Sequence, residues 1–205
     1  MRWLGGIGRR RSEDAAKPWK PALLLPLALI GVAACRSTTP DDLDSANVAL
    51  GTLTQPSWVG GLGGIVLDDG SGYWFDVLRG ARRYTLSHEE RRELLKAVDD
   101  ADFFDLPERL HNNDITDGSE TTLFVATPST QHWSVNYVHD SGDYRTVADA
   151  LGRTLPGPQS GAPVEPVELV RDVKAYLERG ADGEKRRAVS RWLGRAEAMI
   201  AATPK

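Results

Sequence analysis

One cysteine in 205 residues constrains what this chain can fold into more than any other feature. Cys35 closes an uncharged run, Pro21 to Ala34, and after it no thiol remains to cross-link a fold or to ligate zinc. Whatever the later residues build must be held by a hydrophobic core, and about 170 residues suffice for one domain with such a core. The run itself belongs to no domain. Its fourteen residues, PALLLPLALIGVAA, fall short of the about 20 apolar residues that a membrane-spanning helix needs, and Pro21 and Pro26 weaken a helix further. Arg2, Arg9, Arg10, Arg11, Lys17 and Lys20 precede it. A basic segment followed by a short apolar one reads as an export signal over residues 1–34.

Small residues at Ala33 and Ala34 let a peptidase approach the backbone just before the cysteine. Val32-Ala33-Ala34-Cys35 resembles the lipobox of bacterial lipoproteins. The resemblance implies that diacylglycerol is attached to the Cys35 sulfur, that a dedicated signal peptidase cuts before it, and that the new amino group is acylated. It implies no other cofactor. Two further readings stay open: an ordinary secretory signal before a free cysteine, and a twin-arginine signal at Arg10-Arg11, which Ser12-Glu13-Asp14 follows where an apolar residue belongs. Several acyl chains anchor far better than one, since each buried methylene contributes about 0.8 kcal/mol. The resemblance thus places the protein outside the cytoplasm, lipid-anchored to the cell envelope. Arg36 stands where the family uses aspartate for inner-membrane retention, which implies the outer membrane in a cell with two membranes.

Residues 1–34 hold six of the 25 basic and two of the 29 acidic side chains, so the remainder carries about eight more acids than bases. A surface of that sign repels nucleic acid and anionic headgroups, so the partners expected are the membrane, through the lipid, and an envelope protein.

Periodicity predicts an α+β fold: an antiparallel sheet of about five strands with a packed helix, followed by a C-terminal helical hairpin. Residues 35–59, rich in Ser, Thr, Pro and Asp, read as the lipidated cysteine and a flexible tether. An α+β domain is expected over residues 60–155. Gly60-Gly61-Leu62-Gly63-Gly64 lacks the Gly-Lys-Ser/Thr of a phosphate loop and runs into Ile65-Val66-Leu67, a strand. Asp68-Asp69-Gly70-Ser71-Gly72 then turns the chain into Tyr73 to Leu78, and Arg82 to Leu86 completes a meander. Ser87-His88-Glu89-Glu90 is a capping box before a helix with Leu94, Leu95, Val98 and Ala101 on one stripe. Thr121–Thr127 and Gln131–His139 predict a hairpin with Trp133, Val135 and Tyr137 buried and His132, Ser134 and Asn136 wet. Val147, Ala148 and Leu151 mark another helix behind Asp143. Residues 156–166, broken by Pro and Gly, read as a linker, and residues 167–202 as the helical hairpin. The strands, the capped helix and Ala101-Asp102-Phe103-Phe104-Asp105-Leu106-Pro107 together resemble uncharacterised domains of secreted bacterial proteins, over residues 63–155. That resemblance implies no activity.

Chemistry-bearing residues are sparse. The stretch His111 to Glu120 concentrates oxygen donors suited to a hard cation, but it fails the EF-hand template, with Ile115 and Phe124 at ligand positions. His111, Asp114, Asp117 and His139 are the candidate ligand or metal residues. Asp and Asn also populate loops because their side chains mimic turns. His88, His111, His132 and His139 show no zinc spacing, and Ser87 is better explained as a cap than as a nucleophile. Asp68-Asp69 and Asp99-Asp100 are adjacent acids, but neither pair suits the flanking of a glycosidic bond, since one makes a turn and the other ends a helix. Trp74 faces away from Tyr73 and Phe75 and is the candidate exposed aromatic. Two functional readings follow: a non-catalytic envelope lipoprotein that binds a protein or another envelope component, and an enzyme or metal-dependent binding protein centred on His111 to Glu120.

Overall fold

In the computed structural model the described residues are 47–55, 60–111, 119–137, 142–157 and 160–202. Eight strands form one sheet: β1 (Ala49–Gln55), β2 (Leu62–Val66), β3 (Ser71–Asp76), β4 (Gly80–Thr85), β5 (Arg109–His111), β6 (Glu120–Ala126), β7 (Gln131–Tyr137) and β8 (Ala162–Val164). Their order across the sheet is β5-β7-β6-β1-β2-β3-β4-β8, and every pair is antiparallel except β5 with β7. The helices are α1 (His88–Asp100), α2 (Gly142–Thr154), α3 (Pro166–Arg179) and α4 (Gly183–Ala201), with a 3₁₀ turn at Phe103–Asp105.

The α+β class is as the periodicity predicts, but the sheet is larger than five strands and is mixed. Three strands lie where no alternation announces them. β1 falls inside the segment read as tether, yet it pairs with β2 on one side and β6 on the other. Gly51, Thr52 and Thr54 dilute its apolar pattern, and its side chains suit a strand covered on both faces rather than a half-wet one. β5 and β8 have three residues each, too few to show a period. β8 lies within the segment read as linker and carries Pro163, which an outermost strand tolerates because its N–H side needs no partner.

Both faces of the sheet are covered. Ala49, Leu53, Ile65, Tyr73, Phe75, Phe124 and Trp133 share one core with Leu169, Val173, Tyr176, Val189, Trp192 and Leu193 of α3 and α4. Leu50, Val66, Leu123 and Val125 share the other with Leu94, Val98, Phe103, Tyr144, Val147 and Leu151 of α1 and α2. The two C-terminal helices, whose apolar stripes need a surface to cover them, are a layer packed on the sheet. The two-layer covering also changes the reading of β7: Ser134 is buried, and His132 lies against Phe103 and Phe104 at 5.4 and 6.3 Å between ring centroids. Neither is wet.

Local chemistry explains the framing elements. Glu90 N–H donates to Ser87 Oγ at 3.2 Å while the Ser87 N–H donates to Glu90 Oε2 at 2.7 Å, so the box before α1 closes. Those bonds hold the Glu90 carboxyl below its ordinary value. Pro166 opens α3 behind a second reciprocal cap between Glu165 and Glu168. The glycine-rich stretch is neither a phosphate loop nor a loose approach to a strand. A Cβ on Gly63 would lie 2.6 Å from the Phe75 ring on one face, and one on Gly64 would lie 3.0 Å from Leu155 on the other. The missing side chains let large neighbours seat directly on β2.

Candidate interaction surface

The sequence-predicted site residues are largely beyond reach. Cys35, Asp114, Asp117 and His139 lie outside the described residues. His111 is the last residue of β5, its backbone in register with Tyr137, which in turn lies opposite Glu120. The backbone thus sets His111 and Glu120 on either side of Tyr137, with β7 between them. Among the described residues no group of three or more His, Cys, Asp or Glu is arranged to hold a metal. Trp74 does face away from Phe75, but α1 and α2 cover that side too, so it is half-buried, and a Cβ on Gly157 would lie 3.7 Å from its indole.

Register identifies a surface that periodicity alone does not. Trp133, Val135 and Tyr137 alternate onto the α4 side of β7, and Arg109 of β5 lies opposite Val135. Leu110 packs into the opposite core, so Arg109 shares the face of Trp133. No helix among the described residues packs extensively on β5, and α4 stands over β1, β6 and a portion of β7. The result is a shelf floored by β7 and β5, with α4 as its back wall.

Three guanidiniums face this shelf. Arg191 lies over the Trp133 ring at 4.4 Å from its centroid, a cation–π contact. Trp133 is itself stacked on Phe124, centroids 4.7 Å apart at 23°. That stack exists because Gly51, opposite Phe124 across β1 and β6, has no side chain; a Cβ there would sit 2.5 Å from the Phe124 ring. Arg195 Nη1 is 3.4 Å from Thr122 Oγ1, and Thr122 lies opposite Val135. Arg109 and Thr122, the partner of Arg195, therefore lie on either side of Val135, their backbones about 10 Å apart across two strand spacings. No carboxylate of a described residue forms an ion pair with any of the three. Arginines elsewhere do pair: Arg83 with Asp172 at 3.3 Å, Arg179 with Asp69 at 3.3 Å, and Arg187 with Glu184 at 2.9 Å. Glutamates bound the shelf at both ends. Glu120 shares the row of Tyr137, and Glu184 accepts from Gln131 Nε2 at 2.7 Å, while Gln131 Oε1 accepts from the Trp133 indole at 2.8 Å.

A buried polar cluster lies elsewhere, at the β2–β3 turn. Lys185 is nearly inaccessible and pairs with the Asp68 carboxylate. Arg91 of α1 donates to the Asp68 carbonyl at 2.7 Å, so this one residue is gripped from both helical layers. The Tyr176 hydroxyl is buried beside them with no hydrogen bond of good geometry. Burial, and then the Asp68 carboxylate, push the Tyr176 phenol far above its ordinary value, which keeps it neutral. The cluster has the composition of an acid–base site, but its groups neutralise one another inside the packing, and its geometry is that of a clamp.

No protein family, curated protein or solved structure matches the chain.

Proposed function

We propose that the protein is an exported lipoprotein, held to the cell envelope through diacylglycerol and an acyl chain on Cys35, and that its domain is a non-catalytic binding module whose contact surface is the β7–β5 shelf. The observation that supports anchoring is the coincidence of an uncharged fourteen-residue run, two small residues and the chain's sole cysteine, in that order. In a cell with two membranes the outer one is its address. The shelf supports the binding reading because, of its three arginines, two are oriented by Trp133 and Thr122 and none forms an ion pair with a carboxylate of a described residue.

Metabolic labelling with a radioactive fatty acid tests the anchor. The wild-type chain is expected to take up label and to partition into detergent, and Cys35→Ser to do neither. A Cys35→Ser chain that still carried lipid would sink the reading.

A further inference from the structure

We infer that the shelf binds an extended, carboxylate-bearing segment of a partner protein. The inference rests on the binding-module reading but does not need the anchor. Three features fix the chemistry. First, Arg109, Arg191 and Arg195 converge on Val135 and Trp133 with no ionic partner among the described residues, in a domain with an excess of acids. A guanidinium presents a planar fork matched to a carboxylate, and two of these three are already oriented, Arg191 by Trp133 and Arg195 by Thr122. Pre-orientation lowers the cost of binding.

Second, the charges are patterned along the strand. Glu184 stands at one end, the arginines in the middle, and Glu120 at the other end. That order admits a segment with its acids central and neutral or basic residues outside, and it disfavours a uniformly acidic polymer. Third, β5 is the outermost strand of the sheet at this end, with one side paired to β7 and the other side unpaired by any described strand. Such an edge offers main-chain groups to an extended peptide, while the arginines read its side chains. A bilayer surface suits these features less well, because the guanidiniums sit beside the standing wall of α4 and the domain's net charge repels anionic headgroups.

The test uses the whole chain in neutral detergent and a fluorescein-labelled Thr/Val peptide with two central glutamates at alternate positions, so that both face one side of an extended strand, read by anisotropy. An otherwise identical peptide with glutamines is the comparison. The glutamate peptide is expected to bind and to weaken with salt, and the glutamine peptide to bind at least about tenfold less well. Arg109→Gln with Arg195→Gln is expected to lose at least about tenfold in affinity with the melting temperature held, since both residues are exposed. Arg82→Gln with Arg153→Gln, an equal loss of charge away from the shelf, is expected to keep wild-type affinity. Equal binding of the two peptides, an absence of binding, or an equal loss in both double variants overturns the proposal. So does binding to phosphatidylglycerol vesicles that the shelf variant abolishes while the peptide is ignored. None of these outcomes bears on lipid at Cys35, which the labelling experiment decides separately.

Discussion

Gly51 controls the shelf without touching it. Its lack of a Cβ admits the Phe124 ring, Phe124 carries Trp133, and Trp133 carries Arg191. Gly51→Ala adds one methyl group into a region where Phe124 is fully buried and the Gly64 carbonyl is only 3.0 Å away, so little can yield. Overpacking of that kind costs about 1–3 kcal/mol. Urea unfolding is expected to show a loss in that range with an unchanged slope; an unaltered midpoint would mean the ring moves freely. His132 governs a second local balance. Burial holds its pKa below 6.5, against the weaker opposing pull of the Leu106 backbone and of Glu108 and Asp105. Its Nε2 is buried with no hydrogen-bond partner. A proton binds the unfolded chain more readily than the folded one. The stability gained by keeping His132 neutral is therefore complete above about pH 6.5 and is lost as pH falls towards the depressed folded value. Melting temperature is expected to fall between about pH 7 and pH 5, and His132→Phe to flatten that slope; an identical slope in the variant would remove His132 as its cause.

At the scale of elements, the buried pair between Lys185 and Asp68 holds the start of α4 to the β2–β3 turn. Removing one member leaves the other charge buried, which costs about 3–5 kcal/mol, whereas replacing both with apolar groups is often neutral. Lys185→Met is expected to lower stability by about that amount, and Lys185→Met with Asp68→Leu to recover most of it, measured by chemical unfolding. If the double variant is as weak as the single one, the pair is not what holds the helix. Elements with a sustained period were legible in the sequence: the alternation of Tyr73, Trp74 and Phe75, the Ser87–Glu90 box, and the stripe from Ala188 to Ala196 all stand where expected. β1, β5 and β8 were not, because one is diluted by glycine and threonine and the other two are shorter than any period. The shelf was illegible for a different reason. Arg109, Arg191 and Arg195 are 82 and 4 residues apart in the chain, and only the parallel pairing of β5 with β7 brings the first beside the others.

The described domain is a sheet between two helical layers, with β1, the first of its described strands, in the middle. β1 begins at the end of the sheet where the β2–β3 turn and Lys185 lie, whereas α4 finishes at the opposite end, where Met199 reaches Gly61. Under the proposed anchoring at Cys35 this has a mechanical meaning. A pull on the chain ahead of Val48, resisted at the far end of α4, is directed along β1. It must slide that strand past β2 and β6 together, breaking both rows of hydrogen bonds at once, and the Trp192 indole bond to the Thr52 carbonyl lies across the same path. Strands at the rim, by contrast, unzip bond by bond. The proposed anchor would thus load a strand paired on both sides rather than one at the rim.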